Sequence, residues 1–244
     1  GGAGGAGVWR GRSPAACGAV KAMKTLFAFA AAAVGAATVT YAAPRAWTAI
    51  VAPSPTGSYA VGNPKARVTL VEYISYTCPH CAHFTAEAAP ALKAMVKSGS
   101  LRIDYRNQVH DKADLVAATL VRCAGPVAFP ALHDALFEKQ AEWVTRAYEW
   151  DEANAARIAA WPDAAKLRAL VDGSGLGEIA RGAGVKPATI DACFADGTAI
   201  GRTLAASQAT GKVSGTPAFE INGRLIQNTG WDKLQPQLRA AGAR

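Results

Sequence analysis

The sequence predicts an α/β fold in which an all-helical segment is inserted between the two halves of one sheet. A Cys-Pro-His-Cys tetrapeptide, Cys78 to Cys81, stands between an apolar run at 68–75 and a stretch with helical spacing. Residues 111–211 carry almost no strand signal, and sheet signals return after them on either side of Asn222-Gly223. Asn-Gly between two apolar runs is a strong hairpin signal. The predicted order is therefore βαβ, helices, ββα.

The first half, 67–110, is predicted to form a strand, a helix and a second strand. The run 68–75 has apolar residues on both faces, which is typical of a central strand. Glu72 is then a carboxylate among hydrophobic residues, although alternation alone also allows an exposed strand acid. A helix follows from Cys81, and residues 101–106 alternate as the second strand.

The insertion, 111–211, is predicted as a series of helices separated by breaks that contain glycine or proline. The predicted helical ranges are 114–124, 129–144, 151–171, 177–182, 187–195 and 199–210. The second half, 212–244, is predicted as a strand at 218–221, a hairpin turn, a strand at 224–227 and a last helix from about Trp231.

Composition allows a large buried core and excludes one class of partner. The chain has 244 residues, half of them apolar, and a net charge of +8. The first 42 residues hold four basic and no acidic residues, which leaves a charge of +4 on the rest. Since no basic run or basic-aromatic alternation occurs, nucleic acid is not an expected partner.

Residues 23–42 have the pattern of an export signal. Lys24 gives a positive start, an alanine-rich apolar stretch follows, and small residues close the segment, so cleavage is expected after Ala42. The alternative is a membrane anchor, but the stretch is shorter than the roughly 20 residues of a spanning helix. Residues 1–22 resemble translated upstream sequence, and residues 43–66 are predicted as an extended lead-in without a regular period.

Two cysteines at the start of a helix predict redox chemistry. A helix N-terminus offers free backbone N–H groups and a partial positive charge, which favour a thiolate, so Cys78 is the expected nucleophile. Cys81 lies one turn inside the helix and is the expected resolving thiol. The ring of His80, between them, is expected to stabilise the Cys78 thiolate and so to favour the reduced protein.

Two further cysteines, Cys123 and Cys193, follow in the insertion. Disulfides persist in exported proteins, and four cysteines permit three pairings. If Cys78 pairs with Cys81, the second bridge is Cys123 to Cys193. Two unpaired, buried cysteines are the alternative.

The segment Glu72-Tyr-Ile-Ser-Tyr-Thr-Cys-Pro-His-Cys81 and the segment Gly215-Thr-Pro-Ala-Phe219 carry a family resemblance. Together with the element order, they resemble the thioredoxin superfamily and, within it, the DsbA-type thiol:disulfide oxidoreductases. The resemblance covers residues 60–244. It implies a thioredoxin fold whose halves are separated by the helical insertion. It also implies that the protein needs no cofactor.

The resemblance also implies roles for three residues. Glu72 matches the buried acid of the family, which moves a proton to or from the resolving cysteine. Thr216-Pro217 matches the loop that holds a cis peptide opposite the two cysteines and presents backbone atoms to a substrate strand. Thr216 departs from the valine of the strongest oxidases and is more similar to the isomerase and reductase branches.

The resemblance implies a periplasmic enzyme that donates the Cys78–Cys81 disulfide to reduced exported proteins. A membrane quinone-linked thiol oxidase is the expected partner for reoxidation, and the mature protein is expected to be monomeric and free of the membrane. An isomerase or reductase of the same superfamily is the alternative. A third reading is a binding module that holds a peptide, or a metal through Cys78, Cys81 and a histidine, without enzymatic activity.

Overall fold

The computed structural model describes residues 46–54, 58–211 and 213–244. The predictions for residues 1–22 and for the export signal at 23–42 lie outside the described residues. The rest of the chain combines a sheet, the helices that follow its strands and a helical insertion, as the element order predicts.

The described residues form one six-stranded sheet with the strand order β1-β2-β4-β3-β5-β6. Strand β3 is central, as its apolar faces predict: it runs parallel to β4, with Glu72 opposite Tyr105, and antiparallel to β5, with Glu72 opposite Phe219. The strands are β1 (Val51–Pro53), β2 (Tyr59–Gly62), β3 (Val68–Ile74), β4 (Leu101–Asn107), β5 (Ala218–Ile221) and β6 (Arg224–Ile226).

The segment before β3 differs from the prediction of a lead-in without regular structure. It contains a short 3-10 helix, Trp47–Ala49, and the strands β1 and β2. Val61 of β2 lies opposite Ile103 of β4, so the sheet begins before residue 67. The two strands have three and four residues, too few for their alternation to stand out among prolines and glycines.

The helices follow the predicted series, but two boundaries are wrong. Gly125, at φ 82° and ψ 166°, interrupts α2 at the predicted break. The next helix, however, begins at Gln140, and the segment predicted as one helix at 151–171 is divided before Pro162. The helices are α1 (Pro79–Lys97), α2 (Lys112–Glu138), α3 (Gln140–Ile158), α4 (Asp163–Gly173), α5 (Leu176–Gly182), α6 (Pro187–Cys193), α7 (Thr198–Gln208) and α8 (Trp231–Ala241).

The hairpin between β5 and β6 is built as the Asn-Gly signal predicts. Asn222 and Gly223 have φ values of 51° and 85°. Both central residues of a type I′ turn require positive φ, which asparagine and glycine tolerate best. The turn therefore sets the register in which β6, the edge strand, pairs with β5.

Two large apolar clusters cover the sheet and fill the insertion. One contains side chains of β3, β4, α1, β5 and α8, including Leu70, Phe84 and Leu234. The other is built around α2, which is long and apolar enough to cross a membrane by length and composition alone. Its residues Leu120 and Leu132 are fully buried in this cluster, so the core of the protein accounts for the apolar character of α2.

Candidate active site

The two cysteines lie at the N-terminal end of α1, in the segment that follows β3. Cys78 is the N-cap residue of α1, with extended backbone angles, and Pro79 occupies the first helical turn. Proline suits that turn because its missing N–H would have no partner in the helix. The thiols are not bridged, so the structure shows the dithiol form. Cys78 is 7% exposed and Cys81 is 0% exposed, so solvent and substrates reach Cys78 first.

The surroundings of Cys78 favour its ionised form. The hydrogen bond from the Cys81 thiol is the largest cause that lowers the pKa of Cys78, which falls to about 5 against partial burial. The Thr216 side chain and the backbone N–H groups of Cys81 and His80 lower it further. In the protonated form the Cys78 Sγ donates to the Thr216 carbonyl oxygen at 3.2 Å. The Thr216 hydroxyl, which has no hydrogen-bond partner in the described part of the chain, can donate to the sulfur after ionisation.

Cys81 is held in the opposite state. Its hydrogen bond to Cys78 is the largest cause of a strongly raised Cys81 pKa, and burial adds to it. A thiol that donates to a neighbouring thiolate must keep its own proton, so the two effects are one interaction seen from both sides. The geometry therefore gives one thiolate and one thiol at neutral pH.

His80 lowers the pKa of Cys78 through its backbone, whereas the sequence predicts an effect of its ring. The group of His80 that lowers the pKa of Cys78 is the backbone N–H, while the side chain is exposed. The ring lines a surface groove beside the cysteines. The structure thus shows a helix N-terminus acting on the sulfur, and the part played by the imidazole stays a prediction.

The loop before β5 lies against Cys78. Its Thr216-Pro217 peptide is cis, as the family resemblance implies. It forms one wall of a groove of about 390 Å³, which is open to solvent. The groove offers backbone and polar groups to an extended chain, and its walls include His80, His83, Thr216, Pro217, Gln227 and Asn228.

Glu72 is buried in the central strand. It is 2% exposed, and burial raises its pKa to about 8. No hydrogen bond to its carboxyl group occurs among the described residues, and it lines a cavity of about 330 Å³ between the sheet, α1 and α2. A buried carboxyl group without a partner is protonated at neutral pH and is able to release its proton close to that range.

Several residues that hold the active-site segment carry no signal in the local sequence. Asp114, fully buried, accepts hydrogen bonds from the backbone N–H groups of Tyr76 and His110, at 2.8 and 3.0 Å. Gln140 donates to the carbonyl oxygens of Tyr76 and Cys78. Asp111, the N-cap of α2, accepts a hydrogen bond from the Thr77 hydroxyl group at 2.7 Å. Only this residue could have been found, because an N-cap acid before a helix is a recognisable pattern.

A buried aromatic cluster supports the same segment. The hydroxyl group of Tyr76 lies 3.0 Å from Nδ1 of His133. Burial lowers the pKa of His133 to about 4, so its ring is neutral. The ring packs against Tyr105, Phe129 and Phe137. His133 therefore helps to place the residue two positions before Cys78.

The insertion contains a disulfide bond. Cys123 in α2 and Cys193 at the end of α6 are bridged, with a Cα–Cα distance of 5.9 Å. This is the bridge that the cysteine pattern predicts when Cys78 and Cys81 form their own pair, and not the alternative of two unpaired cysteines. Residues 46–54, 58–211 and 213–244 contain no cluster of three or more His, Cys, Asp and Glu side chains that could hold a metal ion.

Comparison with known proteins agrees with this geometry. A family model described as thioredoxin matches residues 54–240. A predicted protein-disulfide oxidoreductase of Rickettsia typhi is 31% identical over 180 residues, which cover 71% of this chain and 58% of that protein. The chain thus spans well under two thirds of this curated relative.

Two solved structures show the same fold. A protein-disulfide isomerase from Novosphingobium aromaticivorans superposes with a TM-score of 0.67 at 34% identity, covering 74% of this chain and 95% of that one. The alpha-DsbA1 protein of Wolbachia pipientis superposes with a TM-score of 0.58 at 20% identity, covering 78% and 92%. The chain therefore belongs to the thioredoxin family, and it carries a helical insertion between the two halves of the fold.

Proposed function

We propose that the protein is a periplasmic thiol:disulfide oxidoreductase that donates the Cys78–Cys81 disulfide to reduced exported proteins. The observation that carries this proposal is the opposite shift of the two thiol pKa values, with Cys78 lowered to about 5 and Cys81 raised. A stabilised Cys78 thiolate stabilises the reduced protein, and a stable reduced form makes the disulfide a stronger oxidant.

The exchange proceeds in two displacements. A substrate thiolate attacks the Cys78 sulfur of the disulfide, the bond between Cys78 and Cys81 breaks, and Cys81 leaves with the electron pair. Cys81 then takes a proton, for which Glu72 is the proposed donor. A second substrate thiolate attacks the substrate sulfur of the mixed disulfide and releases the Cys78 thiolate. The substrate loses two electrons and the protein gains them.

The reduced protein must pass these two electrons on. We infer that a membrane quinone-linked thiol oxidase accepts them, as the DsbA-type resemblance implies. The groove beside Cys78 is where an extended segment of either partner would lie against Thr216-Pro217. Location in the periplasm rests on the export signal predicted at 23–42. Fractionation of a Gram-negative host with N-terminal sequencing tests it, and an uncleaved cytoplasmic product would argue against it.

An isomerase or reductase is the second candidate. Thr216 supports it, and so does the name of the Novosphingobium aromaticivorans structure, a protein-disulfide isomerase. Two substrates separate the candidates: reduced, unfolded ribonuclease and ribonuclease with scrambled disulfides. The proposal predicts rapid oxidation of the first, lost in Cys78→Ser. Efficient recovery of the second with little net oxidation would favour the isomerase.

A further inference from the structure

Gln140 connects the helical insertion to the backbone of the reactive segment. It is the first residue of α3, and its side chain is almost fully buried. Its Nε2 atom donates to the carbonyl oxygen of Tyr76 at 2.9 Å and to the carbonyl oxygen of Cys78 at 2.9 Å. One amide group therefore binds two carbonyl groups on either side of Thr77.

The two carbonyl groups fix where α1 begins. The Cys78 carbonyl oxygen accepts the first hydrogen bonds of the helix, from the N–H groups of Cys81 at 3.1 Å and Ala82 at 3.3 Å. On the other side of the Tyr76 residue, Asp114 holds the Tyr76 N–H at 2.8 Å. Two residues of the insertion, 38 and 64 positions away from Tyr76, thus bind the backbone groups of Tyr76 and Cys78.

The orientation of these peptide groups determines where the Cys78 sulfur lies. The sulfur interacts with the backbone N–H groups at the start of α1 and with Thr216 across the groove. Cys78 is the N-cap residue, so its backbone angles are not set by the helix itself. A rotation at Tyr76 or Cys78 would move the sulfur away from these groups. Its hydrogen bonds would then be lost or weakened, because hydrogen bonds weaken steeply with distance and angle.

We propose that Gln140 is a positioning residue for Cys78: its side-chain amide holds the Tyr76 and Cys78 carbonyl groups so that the Cys78 sulfur stays at the N-terminus of α1 and against Thr216. This inference rests on the proposed function only in treating Cys78 as the reacting thiol. It assigns to the insertion a part in tuning the cysteine, in addition to its part in folding.

The test removes the donor and keeps the volume. In Gln140→Met the side chain has similar length but no N–H group. The control is Thr203→Val in the same insertion, since Thr203 is 1% exposed and its hydroxyl donates only within α7, to the Ala199 carbonyl oxygen at 2.9 Å. Both changes remove one buried donor from the insertion, and only the first touches the reactive segment.

The readouts are the thiolate absorbance of the reduced protein against pH and the equilibrium constant with glutathione. We expect the midpoint of the Cys78 titration to rise by about one unit in Gln140→Met, and the equilibrium constant to shift about tenfold toward a weaker oxidant. Thr203→Val is expected to leave both unchanged. If Gln140→Met does not fold, Gln140→Asn keeps the amide but shortens its reach, and it should raise the midpoint by a smaller amount.

A folded Gln140 variant with the titration curve and equilibrium constant of the wild type would overturn the inference, even if its stability is reduced. Equal shifts in the Thr203 control would overturn it too, since the effect would then be general. A wild-type Cys78 that titrates like an ordinary thiol would instead count against the proposed function, so the two failures are distinguishable.

Discussion

The sheet and the helical insertion each bury one acid close to the active-site segment, and they treat it differently. Glu72 in β3 has no hydrogen-bond partner in the described part of the chain, and burial raises its pKa to about 8. Asp114 in α2 accepts two backbone hydrogen bonds, and burial raises its pKa to about 7 against the lowering effects of the Ser75 hydroxyl group and of these two donors. Burial dominates at both sites, but only Asp114 has neighbours that depend on it.

This difference indicates separate roles for the two acids, proton transfer for Glu72 and support of the backbone for Asp114. An acid without partners is free to release and take a proton without disturbing its surroundings, whereas an acid that holds two peptide groups cannot be changed without moving them. The sheet region therefore carries the groups that react, and the insertion carries groups that hold the backbone of Cys78. Substitutions in each region can test this division.

The insertion disulfide is expected to support stability and not reactivity. The bridge closes a chain segment of 70 residues, which corresponds to about 4 kcal/mol of stability. The double variant Cys123→Ala/Cys193→Ala should lose about that free energy of unfolding, measured by urea titration. The Cys78 titration should stay where it is in the wild type. A shifted Cys78 midpoint would show that the bridge also affects the reactive cysteine.

Glu72→Gln is expected to become more stable than the wild type as the pH rises. The pKa of Glu72 is about 8 in the folded protein and 4.5 ordinarily, so between these values the folded state binds the proton more tightly. Stability from this group is therefore present at low pH and is lost toward pH 8. Since glutamine does not titrate, the variant should be about 3 kcal/mol more stable than the wild type at pH 7 and equal at pH 4. Urea unfolding of the oxidised proteins measures this, and a difference that does not change with pH would contradict it.

Asp114→Asn, unlike Glu72→Gln, is expected to be less stable than the wild type at low pH. Asparagine keeps one acceptor but turns an NH₂ group toward either the Tyr76 or the His110 N–H. The variant should lose about 2 kcal/mol of stability at pH 4, because one buried donor is left without a partner. The pKa of Asp114 is about 7 in the folded protein and 3.8 ordinarily, so the wild type itself loses stability between these values. The deficit of the variant should therefore shrink from pH 4 to pH 7 and change no further above pH 7. A variant as stable as the wild type at pH 4 would remove the distinction between the two acids.

Glu72→Gln is also expected to slow the release of Cys81. The effect should be about tenfold, at or below the low end of acid catalysis, because a thiolate is a good leaving group. Single-turnover oxidation of a reduced two-cysteine peptide, followed from pH 6 to pH 9, measures it. The wild-type profile should bend near the Glu72 pKa of about 8, and the variant profile should not. Matching profiles would leave Glu72 without a part in proton transfer.

The sequence predicted those parts of the fold that depend on local pattern. The apolar run before Cys78, the helical spacing after it and the Asn222-Gly223 turn each determine their own element. The strands β1 and β2 escaped prediction because they are short and depend on pairing with β4. The helix boundary at Gln140 also escaped, since the apolar spacing continues across it.

The candidate site was predictable to the extent that its motif is local. The positions of Cys78, Cys81 and Glu72 follow from one strand and one helix. Gln140 and Asp114 approach this segment from 62 and 38 positions away, and no local pattern marks a glutamine as the donor to two distant carbonyl groups. The ring of His80 was expected to act on Cys78, but a motif does not distinguish a ring from the backbone N–H of the same residue.

A thiolate titration of the wild-type dithiol distinguishes this pair of unequal thiols from two ordinary cysteines. The hydrogen bond between the two thiols drives their pKa values apart, so that Cys78 ionises at about 5 and Cys81 stays protonated well above neutral pH. Absorbance at the thiolate band should therefore rise with a midpoint near 5 to the amplitude of one thiolate, and then stay level to pH 9. A single rise of two thiolates near the ordinary cysteine value of about 8.5 would contradict the account.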